Sequence, residues 1–120
     1  MKIDSKIELV LNEQIKHEFE SAYAYLSLAT DLGITPYSGF AHWMKKQYEE
    51  ELEHAMRIYN YIQERQGRVQ LHSFECPAYN IKTPLEAFKI AYKLELENTE
   101  RIHKAFSRAV ELKDYSTQIF

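Results

Sequence analysis

The chain has 120 residues, which suits one domain, with 45% hydrophobic and 28% charged residues, enough apolar content for a packed core and too much for a disordered chain. Fifteen Lys and Arg against eighteen Asp and Glu leave a net charge of −3, which provides no global attraction to nucleic acid or to an anionic membrane. The expected partners therefore include neither.

The first element begins at Ser5-Lys6-Ile7-Glu8, where Ser5 is placed to cap a helix while Glu8 reaches back, and the helix is expected to run to about Leu32, before Gly33. Its apolar stripe advances by three or four through Ile7, Leu11, Gln14 or Ile15, Glu18, Ala22, Tyr25 and Ala29, interrupted at Glu18. Gly33, Pro36 and Gly39 then break the pattern. A second helix starts at Ser38 or Gly39 and ends at Gly67, a suitable left-handed cap. Its stripe reads Phe40, Met44, Gln47, Glu51, His54 or Ala55, Ile58 and Ile62, and Glu51 and His54, one turn apart, share a face.

The stretch from Gly67 to Thr83 reaches roughly 56 Å at about 3.3 Å per residue, long enough to cross a bundle of helices of about 42 Å and to set the third helix parallel to the second. Thr83-Pro84-Leu85-Glu86 opens that third helix with a capping box and proline at the first position. Its stripe is Phe88, Ala91 or Tyr92, Glu95, Asn98 or Thr99, Ile102, Phe106 and Val110. After Leu112, Asp114 or Ser116 can cap a fourth helix. The expectation is an all-α antiparallel helix bundle with a long crossover, three long helices and a truncated fourth, forming one domain over residues 1–120 that is incomplete at its C-terminus.

The single Cys76 allows neither an internal disulfide nor a cysteine metal cage and points to a reducing compartment, so the cytoplasm is the expected location. The longest run without Asp, Glu, Lys or Arg, from Leu32 to Met44, contains Gly33, Pro36 and Gly39 and cannot span a bilayer; the first six residues have no apolar signal core.

Glu18, Glu51 and Glu95 each interrupt a core stripe within about 3 residues of the midpoint of their helix, under roughly 5 Å of rise, and midpoints meet whatever the helix direction. With His54 they make three carboxylates and an imidazole aimed at one depth of one core. Burying such anions costs several kcal/mol each unless they are protonated or neutralised, so a bound cation is the economical solution. Oxygen donors with one imidazole suit iron or manganese, and a bridging carboxylate holds two ions. By the same logic, Glu51→Gln or Glu95→Ala is expected to stabilise the metal-free chain. Glu100-Arg101-Ile102-His103 repeats the Glu-x-x-His spacing off the stripe and reads as surface, as does most of Glu49-Glu50-Glu51-Leu52-Glu53, where Glu50 alone is a borderline neighbour able to hold an entering ion. His17, His42 and His72 have no partner at ligand spacing.

Leu11-Asn12-Glu13-Gln14 through Glu18 and Tyr25, Gly39 through Gln47 with Glu50-Glu51-Leu52-Glu53-His54-Ala55, and Ala91-Tyr92-Lys93-Leu94-Glu95 together resemble the ferritins, specifically the bacterial non-haem kind, over essentially the whole chain. The resemblance implies a ferritin-like di-iron bundle. It assigns Glu18 and His54 to one iron, Glu51 to the bridge and Glu95 to the second iron, and makes Tyr25 the tyrosine beside the centre implicated in electron donation. It further implies a ferroxidase that oxidises Fe(II) with O2 or H2O2 and stores Fe(III) as mineral inside a homo-oligomeric shell. Leu52 stands where haem-binding relatives carry Met, so no haem is expected. The family has a fourth long helix, whereas this sequence reaches Phe120 where that helix should begin, and three helices alone would leave an apolar groove exposed. The alternative is a non-enzymatic helical interaction module of the same fold; a rubrerythrin-like reductase would need cysteine pairs that a lone Cys76 does not supply.

Overall fold

A computed structural model describes residues 2–120; Met1, the first residue of the expected domain, lies outside the described residues. Four helices follow in order: α1 (Ser5–Gly33), α2 (Ser38–Glu64), α3 (Pro84–Glu111) and the short α4 (Tyr115–Ile119). At 52 × 21 × 21 Å the molecule is a rod, as helices of 27 to 29 residues laid side by side require. Among the described residues no helix is long and apolar enough to cross a membrane.

The first cap differs from the sequence expectation. Ser5 is already helical, and Asp4, in extended backbone, accepts from the Lys6 N–H at 2.7 Å. An aspartate one residue earlier does the same capping chemistry and adds a negative charge at the positive end of the helix. The α3 start is as expected: Thr83 Oγ1 accepts from the Glu86 N–H at 3.3 Å, with Pro84 in the first turn.

Helix directions follow from two apolar clusters. Ile7, Leu11 and Ile15 near the start of α1 pack with Ile58, Tyr61 and Ile62 near the end of α2 and with Ala109 near the end of α3. Tyr25, Leu28 and Leu32 at the other end of α1 pack with Met44 from the start of α2 and Ala87 and Ala91 from the start of α3. α1 is thus antiparallel to both partners, and α2 and α3 run parallel, joined by the crossover. α1 lies between them and buries its whole stripe, Ile7 through Ala29, including Gln14 and Glu18. α3 buries only Ala87, Ala91 and Ala109, small residues that let the backbones approach.

The rest of the α3 stripe is open, the apolar exposure expected of three helices alone: Tyr92, Ile102, Phe106 and Val110 are 48–68% exposed, and Phe40 on α2 is 43% exposed. Tyr92, Ile102 and Phe106 line clefts between α2 and α3.

The crossover is held along α1 by polar side chains. Asn12, buried on α1, donates to Arg68 O at 3.0 Å and accepts from the Gln70 N–H at 2.8 Å, Glu8 accepts from the Arg68 N–H, and Asp31 accepts from the Ile81 N–H at 3.1 Å. The left-handed residue at its start is Gln66 (φ 58°), not Gly67. The Gln66 N–H bonds Gln63 O and the Gly67 N–H bonds Ile62 O, the paired pattern of a Schellman closure. Glycine at 67 is required by space instead, because a Cβ there would lie 2.7 Å from Ile3 Cγ2 and 2.9 Å from Ile62 Cγ2. Gly67→Ala is expected to cost about 1–3 kcal/mol through overpacking, read as a lower midpoint in urea with an unchanged m-value; an unchanged midpoint would show that Ile3 yields freely.

A second closure of the same kind ends α3, with Lys113 left-handed (φ 55°), and Asp114 then caps α4. Arg65 clamps Asp114 with two guanidinium contacts of 3.1 and 3.2 Å, and this hydrogen bond holds the Asp114 carboxyl below its usual pKa despite burial. Phe120 stacks on Tyr61 at 4.1 Å under Arg57. α4 is thereby aimed toward the groove between α2 and α3.

Candidate metal centre

Glu18, at the middle of α1, is 3% exposed, and Glu51, at the middle of α2, is 4% exposed. Their Oε2 atoms are buried without a hydrogen-bond partner. His54 Nδ1, one turn beyond Glu51, lies 3.7 Å from Glu18 Oε2 and 3.6 Å from Glu51 Oε2. Among the described residues this is the group of three donors that a single cation can bridge, with ligand atoms all within 4.8 Å of one another.

Burial, then the neighbouring Glu18 carboxyl, pushes the Glu51 pKa up to about 9. A proton therefore sits on the pair at neutral pH in the metal-free protein. No protein N–H serves these two oxygens, and at a site of this composition a divalent cation can replace the proton that the pair holds.

Tyr25, 1% exposed, donates to Glu95 Oε1 at 2.5 Å, and burial followed by this bond raises its phenol well above the ordinary range. Tyr25, Glu51, His54 and Glu95 share one cleft of ≈ 550 Å³ with Glu50, and Trp43, Phe88 and Tyr92 also line it. A second cleft of ≈ 290 Å³, lined among others by Glu18, His54, Arg57 and Phe106, adjoins it at His54.

All five expected side chains therefore converge, but not with equal burial. Glu18, Glu51 and Tyr25 are in the core, whereas His54 and Glu95 are exposed to the groove between α2 and α3. The expectation of a wholly dry cluster is corrected for those two, because α3 touches α1 through its alanines and leaves its next stripe open. Glu49 and Glu53 are exposed as expected, as are Glu100 and His103; Glu50, the borderline neighbour, is exposed at the cleft it shares with the cluster, and His42 and His72 are on the surface. Burial lowers the pKa of His17, which stands 3.7 Å from Glu20 and away from the cluster.

Sequence reasoning missed two residues. Gln14 Nε2 donates to Glu18 Oε1 at 3.0 Å and to Asn98 Oδ1 at 2.9 Å, which ties the carboxylate to α3. The available signal was an amide on a core stripe in each of two helices, near the level of Glu18.

A family model described as the ferritin-like domain matches residues 8–120. The chain belongs to the ferritin family. It is 34% identical to a bacterial non-haem ferritin of Staphylococcus aureus over 110 residues, 92% of this chain and 66% of that protein, and 35% identical to one of Bacteroides fragilis over 118 residues, 98% and 74%. An open pore ferritin from the archaeon Archaeoglobus fulgidus superposes with a TM-score of 0.94 at 41% identity, covering 98% of this chain and 72% of that one. The chain thus spans somewhat less than two thirds of the length of the first of these relatives. The ferritin-like fold, with three long helices and a long crossover, is the one its stripes encode.

Proposed function

We propose that this ferritin chain stores iron and is a ferroxidase, taking Fe(II) as substrate at the mid-bundle cluster. The observation that carries this reading is the pair of buried, unpartnered carboxylate oxygens on Glu18 and Glu51, both within 3.7 Å of one imidazole nitrogen. Family membership supports iron as the cation, and the non-haem names of the relatives, together with Leu52 in place of a haem-binding Met, support a centre without haem.

In this reading Glu18 and His54 hold one Fe(II), Glu51 bridges and Glu95 holds the second. Glu51 must give up its proton as the ions enter. Each Fe(II) gives one electron; two electrons with two protons reduce O2 to H2O2, or H2O2 to two waters. Tyr25 keeps its proton at rest and orients Glu95 through their hydrogen bond, and it stands where it can donate an electron. The product Fe(III) passes to a mineral in a homo-oligomeric shell in the cytoplasm.

The test is direct. Anaerobic protein mixed with two Fe(II) per chain and exposed to air should give a ferric absorbance rise, and Glu51→Ala should slow it by more than the roughly 10–100-fold that loss of a mere outer partner of a ligand brings. Equal rates in the two would leave the chain as a non-enzymatic helical module of the same fold.

A further inference from the structure

Gln14 occupies a core position one turn before Glu18 and is 6% exposed. It spends both amide hydrogens: one on Glu18 Oε1, the other on Asn98 Oδ1 across the interface with α3. The two bonds divide the work. Asn98 presents a carbonyl oxygen, which forces Gln14 to turn its NH2 group, not its own carbonyl, toward the site. The second N–H then engages a single oxygen of Glu18. With Oε1 held, Glu18 directs Oε2 into the cluster, and Oε2 is the buried, unpartnered atom 3.7 Å from His54 Nδ1.

We propose that Gln14, locked by Asn98, is a positioning residue that makes Glu18 present one fixed oxygen to a cation shared with Glu51 and His54. The proposal rests on the metal reading above and extends it to a link with α3, so the geometry of an α1 ligand depends on how α3 docks. Outer partners of this kind orient carboxylate ligands, and their removal lowers metal affinity by about 10–100-fold.

Anaerobic titration with Co(II), read both as affinity and as the visible absorption of the bound ion, tests this on the full chain, with melts in chelator run in parallel. Gln14→Leu should bind Co(II) about 10–100-fold more weakly than wild type and with an altered spectrum. Asn98→Leu should shift both in the same direction. Asn98→Asp, which keeps an acceptor for the Gln14 amide, should keep the wild-type spectrum. Should Gln14→Leu fail to fold, the two Asn98 variants decide. Affinity and spectrum unchanged in the Leu variants would overturn the positioning role, even if their melts move, since that pattern is purely structural. A wild-type chain that takes up no Co(II) would overturn the metal reading itself, and the positioning role with it.

Discussion

Stripped of metal, the chain is expected to lose stability steadily between about pH 5 and pH 9, and Glu51→Gln to remove most of that loss. The Glu51 carboxyl titrates near 9 in the folded chain against an ordinary value of 4.5. A raised acid pKa means that the folded state binds more protons than the unfolded one between those values, so unfolding free energy falls as pH rises through the window. The stabilising contribution is complete below about pH 4.5 and gone above about pH 9. There the Glu51 carboxylate is charged in the core, at a cost of several kcal/mol. Glutamine is close in shape and never ionises, so the variant should match wild type below about pH 4.5 and exceed it by a margin that grows up to about pH 9. Thermal melts in chelator across this range check it; parallel curves for the two proteins would mean that water reaches the pair freely. Glu95→Ala is expected to do the opposite of what the sequence stripe implied. Glu95 is exposed, so its removal relieves nothing, while the buried Tyr25 hydroxyl loses its acceptor, at about 1 kcal/mol or more. Asp114 sets the acid limb: its pKa is lowered by Arg65, so its contribution is lost as pH falls through its depressed folded value.

Legibility in the sequence followed the number of neighbours a helix has. The α1 stripe was readable in full because α1 packs on both partners, and every position from Ile7 to Ala29 on it is buried. The α3 stripe was correctly drawn but its burial was not, because Tyr92, Ile102 and Phe106 face the groove and not α1. Glu95 and His54 share that fate. Caps were legible where one residue type is clearly superior, as at Thr83-Pro84, and ambiguous where Asp4 and Ser5 compete. Gly67 shows a different limit: its position was marked by composition, yet the reason is contact with Ile3 and Ile62, which no local pattern encodes, while Gln66 takes the strained backbone. The Gln14–Asn98 link joins residues 84 apart and becomes visible only once α3 is docked.

Divalent metal should restore the stability that high pH removes. A ligand that binds only the folded chain contributes about 2.7 kcal/mol at a free concentration 100 times its Kd. For a domain of this size, at about 4 °C per kcal/mol, Co(II) at that level should raise the melting temperature by about 10 °C at pH 7. The rise has a pH signature set by Glu51. Metal entry displaces the proton that Glu51 holds up to about pH 9, so apparent affinity, and with it the thermal shift, should grow from pH 6 to pH 8.5. Metal on the exposed carboxylates of α2, such as Glu49 and Glu53, would show no such growth, because it does not displace the buried Glu51 proton. Differential scanning calorimetry of wild type and Glu18→Ala/Glu51→Ala, with and without Co(II), separates the two. A shift confined to the wild type and steepening with pH places the cation between the buried oxygens. An equal, pH-independent shift in both would place it on the surface and remove the chemical reason for two carboxylates in the core.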